Sequence, residues 1–67
     1  MFEIGDKVRI TDKYPSKDDW GKVGTIFVIR EDAPYPYYLT GIAGFEKEEA
    51  LGYYFLVRKH EIEKVVE

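Results

Sequence analysis

Gly21 to Arg30 reads GKVGTIFVIR and holds the densest run of β-branched and aromatic residues in the chain, opened by a glycine pair spaced G-x-x-G. Such a run predicts a buried central strand entered through a glycine turn. Val23, Thr25, Phe27 and Ile29 fall on one side of it, and Ile26 and Val28 on the other. A strand apolar on both sides is either covered twice or bends from one sheet into the next. The residues before it read as a strand and a loop, and those after it as shorter strands that wrap back over it, the plan of a small β-barrel.

Upstream, Phe2 to Thr11 reads FEIGDKVRIT, in which Val8 and Ile10 alternate with Lys7, Arg9 and Thr11. That period of two predicts a half-buried strand opened by a Gly-Asp turn. Asp12 to Gly21, DKYPSKDDWG, combines Pro, Ser, three Asp and Gly, which is loop chemistry, and its ten residues exceed a simple hairpin connection. Long loops on small barrels are where binding tends to sit.

Downstream, EDAPYP at Glu31 to Pro36 breaks the central strand with charge and two prolines. Pro36 suits the first position of a new strand, where a missing N–H costs least. Tyr37 to Thr40 supplies that strand, with Tyr37 and Leu39 on one face, and Gly41 ends it. Glu46 to Leu51 are good helix formers followed by Gly52 as a stop, so a single helical turn or a broad ordered loop is expected over 45–51. Tyr53 to Val57 returns to β character, Arg58 to Glu61 reads as a tight 3₁₀ turn, and Ile62, Val65 and Val66 form a last short strand.

The fold class expected is therefore all-β, a single domain over 1–67. A chain of 67 residues is too short for two domains, and one this size buries only about 60% of the surface its unfolded form exposes. With no cysteine, neither disulfides nor thiolate-metal sites support the fold, and an apolar core must hold it. No signal peptide and no long apolar run is present, so a cytoplasmic protein without membrane insertion is expected. The net charge of −3 is uneven: residues 1–30 carry six Lys or Arg against five acids, and residues 31–67 carry four against eight. Phosphate binding usually leaves a clustered basic face, so this balance argues against a general nucleic-acid binder while leaving room for a local patch.

The order strand, long loop, strand, loop, strand, distal loop, strand, 3₁₀ turn, strand resembles an SH3-like barrel. Its first half resembles the KOW motif, with G-D-x-V-x-I at Gly5, Asp6, Val8 and Ile10, then G-x-x-G-T-I-x-x-I at Gly21, Gly24, Thr25, Ile26 and Ile29. That resemblance implies binding to RNA or to proteins of the ribosome and transcription machinery. The photosystem I reaction-centre subunit IV family is similar in G-x-K-V-R-I at Gly5 to Ile10, V-G-T at Val23 to Thr25, and Tyr35-Pro36. It implies an accessory docking subunit of an electron-transfer complex. Small SH3-like proteins of phages and prophages are similar in Tyr35-x-Tyr37 and in His60-Glu61-Ile62. No A-L-Y-D-Y-type segment or tandem tryptophan pair marks a eukaryotic reader of proline-rich peptides.

No catalytic or metal-ligating constellation stands out, and a non-enzymatic protein without cofactors is expected. His60 is the sole histidine and lies in a turn among charged residues, while Ser16, the only serine, lacks a nucleophile elbow. Tyr14, Trp20 and Tyr35 are candidates for an aromatic platform that meets a peptide, a protein surface or a base. The competing assignment for Trp20 is a lid over one open end of the barrel, with Tyr14 packed beside it. Arg9, Lys13, Lys17 and Lys22, with Lys7, form the candidate nucleic-acid patch if the outer face of strand one and the long loop converge, but Asp6, Asp12, Asp18 and Asp19 sit among them. Glu46 to Glu49 reads either as an acidic docking surface or as the wet side of a helical turn. A protein-interaction module with an unidentified protein partner is the leading expectation, and a KOW-like nucleic-acid binder the alternative. An exposed final strand allows a monomer or a weak homodimer.

Overall fold

The computed structural model describes residues 1–66. Five strands, β1 (Lys7–Ile10), β2 (Val23–Ile29), β3 (Tyr37–Thr40), β4 (Phe55–Val57) and β5 (Ile62–Lys64), form one antiparallel sheet in the order β4-β3-β2-β1-β5. The chain is thus all-β, with a meander through four strands and the last returning beside the first. A short helix, α1 (Glu46–Ala50), interrupts the β3 to β4 connection, and 3₁₀ turns lie at Lys17–Asp19 and Lys59–Glu61. The sheet curls so that both of its edges feed one core, Phe55 and Val57 from β4 and Ile62 from β5.

Strand β2 is central, with β1 and β3 on either side. Its two glycines serve different needs. Gly21 turns the chain at a positive φ of 85°, a conformation that side chains with a Cβ resist. Gly24 sits inside the sheet, where a Cβ would come within 2.5 Å of Ile42 Cδ1 and 3.1 Å of the Thr40 carbonyl. The space it leaves is filled by Ile42, a residue outside any strand that is 1% exposed.

The face assignment along β2 needs correcting at its far end. Thr25 pairs with Thr40 and Ile26 with Leu39, but Val28 pairs with Tyr38 and Ile29 with Tyr37, so a bulge absorbs Phe27. An extra residue in one strand inverts the alternation beyond it. Ile29 therefore packs against the core alongside Ile26 rather than sharing the outer side with Val23, Thr25 and Phe27. The described strands form one sheet, so no second sheet among them covers the outer side. Phe27 meets Tyr38 and Tyr54 there, at 6.3 and 4.7 Å between ring centroids.

Two strand limits also differ from expectation. Helix α1 ends in paired bonds, from the Gly52 N–H to the Glu49 carbonyl and from the Tyr53 N–H to the Glu48 carbonyl, the Schellman arrangement. Tyr53 is thereby committed to the helix cap, and β4 starts at Phe55 instead. At the other end, Val66 is 91% exposed and outside β5, whereas the Val65 N–H still reaches the Lys7 carbonyl at 2.9 Å. The 3₁₀ turn before the last strand, the helical turn within 45–51, the inward face of Val8 and Ile10 and the shared face of Tyr37 and Leu39 all stand as read from the sequence.

Candidate functional site

Where β4 leaves the sheet, its outward Leu56 faces the long first loop across an open groove of about 240 Å³, lined also by Tyr14, Pro15, Ser16, Tyr35 and Glu61. Three segments far apart in sequence make its walls, and each is fixed by local bonds. The loop wall hangs from the end of β1, where Thr11 N–H donates to the Glu61 carbonyl at 2.9 Å and Tyr14 N–H to the Thr11 carbonyl at 3.2 Å. Tyr14 turns its ring onto the core residue Phe55, with centroids 5.3 Å apart. Burial pushes the Tyr14 hydroxyl up from its ordinary pKa, and the negative charges of Asp19 and Glu61 add to the effect.

Tyr35 comes from the β2 to β3 loop, closed by the Arg30 N–H donating to the Pro36 carbonyl at 2.7 Å. It stands between Pro34 and Pro36, which restrict its backbone and that of Ala33. A ring that is 44% exposed is thus presented on a stiff support.

The third wall is Arg58 to Glu61. Glu61 is fully buried, and its two carboxylate oxygens accept from the Arg58 backbone N–H at 2.7 Å and from Arg58 Nη2 at 3.0 Å. This is one half of a capping box, the Glu61 carboxylate accepting from the N-cap N–H, closed by an ion pair, while the Glu61 N–H donates to the Arg58 carbonyl at 2.9 Å. Burial raises the Glu61 carboxyl, but the hydrogen bonds and charge of Arg58, with His60 adding a little, hold it below the usual carboxylate pKa. The same bond to Glu61 raises Arg58. The guanidinium carbon then lies 5.4 Å from the centre of the Tyr35 ring, a cation–π contact across the end of the groove. Arg58 Nε is shut off from solvent with no acceptor among the described residues.

Of the aromatic candidates, the structure brings Tyr14 and Tyr35 to one groove and leaves Trp20 outside its lining. Trp20 is 41% exposed and not among the side chains packed on the core; its indole N–H donates to the Tyr14 carbonyl at 2.7 Å. It braces the loop from behind, and Tyr14 makes the core contact.

Two of the basic candidates already face carboxylates. Arg9 lies on the outer face of β1, 3.4 Å from Glu63, and Lys22 pairs with Asp19 at 2.9 Å. Lys13 and Lys17 are exposed on either side of the loop wall, with no ion pair among the described residues. Glu49 of α1 accepts from Thr40 Oγ1 and, at 3.1 Å, from the Gly41 N–H, so it fastens the helix to the end of β3.

Pro15, Ser16, Leu56, Arg58 and Glu61 were not singled out from sequence. Two signals were available: Leu56 is a large apolar residue at an outward position of β4, and Arg58 and Glu61 are opposite charges three residues apart. Among the described residues no group of three His, Asp or Glu is placed to hold a metal, and no helix is long and apolar enough to cross a membrane. Comparison with protein-family models, with curated proteins and with solved structures finds no match to this chain.

Proposed function

We propose that this chain is a small, non-enzymatic protein-interaction module of the SH3-like kind, working in a bacterial or phage-infected cytoplasm and binding its partner in the groove between the first loop, Tyr35 and the Arg58 to Glu61 turn. The observation that carries this reading is an open groove with an apolar lining, whose walls are held by proline-restricted backbone and a buried ion pair. A preformed site loses little freedom on binding. Nucleic-acid binding has less support, because Arg9 and Lys22, two of the four cations it requires, already face carboxylates.

The test is selection from a displayed library of random peptides on the immobilised protein, repeated with Tyr35→Ala and Leu56→Ser. Both side chains are partly exposed, so the variants should keep the native melting curve. Binders that lose the variants but keep the parent support the reading. Failure to enrich any groove-dependent binder sinks it.

A further inference from the structure

The groove's walls have an uneven charge that bears on what enters it. The loop wall, Tyr14 to Ser16, is bracketed by Lys13 and Lys17, exposed and without ion pairs among the described residues. The opposite wall starts with Arg58, whose side chain is 42% exposed, and continues with exposed Lys59. Tyr35 and Leu56 between them are uncharged. The one carboxylate in these segments, Glu61, is buried with both oxygens engaged by Arg58. Arg58 thus stands against the Tyr35 ring at the groove, exposed Lys13, Lys17 and Lys59 are next to its walls in sequence, and no lining carboxylate is without a partner. Arg58 has further capacity, since its side chain is 42% exposed and Glu61 takes one of the five guanidinium N–H donors.

We propose that the groove takes an extended peptide segment in which a carboxylate side chain neighbours a large apolar one. The apolar side chain lies between Tyr14 and Leu56, and the carboxylate turns toward Arg58 and Lys17. The proposal rests on the interaction-module reading and gives the partner a chemistry. A groove of about 240 Å³ falls below the range of sites for drug-sized ligands and suits a side chain or two. A nucleic-acid strand fits less well. It needs a run of cations, and here Arg9 and Lys22 are paired.

The experiment is an NMR amide titration of the whole chain with three sets of capped hexapeptides that have leucine or tryptophan at the centre, flanked by glutamate, by lysine or by glutamine. The glutamate set is expected to move the resonances of Tyr14, Ser16, Tyr35, Leu56 and Arg58, and to bind about tenfold more tightly than the lysine set at low salt, a gap that closes as salt is raised. Lys17→Glu removes an exposed cation without touching the core and should weaken the glutamate set about fivefold, the equivalent of one surface ion pair of about 1 kcal/mol. Lysine peptides that bind as well or better overturn the acidic preference and leave the module reading standing. If no set moves these resonances while the displayed library still yields a groove-dependent binder, the proposal fails alone; if the library yields none, both fail. A short oligouridylate that displaces the glutamate peptides from these residues at equal concentration also overturns it.

Discussion

At the scale of single residues, Glu61 and Arg58 connect the fold to the groove. A buried carboxylate with one cationic partner is tolerable only while that partner is present. Arg58→Leu is therefore expected to lower the melting temperature by more than about 10 °C, which thermal denaturation followed by circular dichroism measures. The pH dependence gives a sharper readout. In the parent, Glu61 is held below its unfolded pKa, so its contribution is present above the ordinary carboxylate range and is lost as pH falls through the depressed value. In Arg58→Leu the guanidinium's hydrogen bond and charge are gone and only the backbone N–H of residue 58 and His60 still oppose burial, so the loss of stability on acidification is expected to be smaller than in the parent. Denaturant melts at several pH values check this, and equal slopes in the two proteins would show that Glu61 does not depend on Arg58. Tyr14 and Trp20 make a second contrast. Tyr14→Ala strips a ring from Phe55 and should cost about 2 kcal/mol, whereas Trp20→Ala should cost about 1 kcal/mol or less, because Trp20 is not packed on the core. The sequence offered an aromatic lid over the core, with Trp20 and Tyr14, as one of two alternatives. It did not show which one, since loop residues carry no periodicity to separate an inward ring from an outward one.

At the scale of elements, the alternation of Val8 and Ile10 in β1 and of Tyr37 and Leu39 in β3 could be read directly, because a strand with one buried face repeats every two residues. The GKVGTIFVIR stretch could be placed but not fully oriented. Its bulge at Phe27 depends on the partner strand, and nothing local to Ile26, Phe27 and Val28 marks which residue is left unpaired. The role of Gly24 was equally hidden, as it depends on Ile42, eighteen residues further on and in a loop. Gly24→Ala is expected to cost about 1 to 3 kcal/mol through that clash. Ile42→Val alone should cost about 1 kcal/mol. The pair should cost less than the sum, because valine lacks the Cδ1 that the new methyl meets. Chemical denaturation of the four proteins closes this cycle. Strict additivity would mean that the Thr40 carbonyl, 3.1 Å from the added Cβ, sets the penalty instead.

At the scale of the whole molecule, the groove was the least legible feature, because residues near positions 14, 35, 56 and 61 meet there only after the sheet has curled. The same long-range assembly implies that loop and sheet unfold together. With its three aspartates and an exposed tryptophan, the first loop has the composition of an appendage on the strands. Its ends, however, continue the β1–β2 ladder, with Gly21 N–H donating to the Ile10 carbonyl at 2.7 Å and Ile10 N–H to the Lys22 carbonyl at 2.8 Å. Thr11 ties it to the Arg58 to Glu61 turn, and Tyr14 anchors it on Phe55. Losing the loop would strip a core ring and expose Glu61, so partial opening gains little entropy for the contacts it gives up. Trp20 stands on this loop and far-UV circular dichroism reports the sheet, so the two signals track separate parts of the molecule. Their urea transitions are expected to coincide in midpoint and slope, as for a single cooperative unit. An earlier fluorescence transition would mean that the loop melts on its own, and the groove would then be formed only when a partner orders it.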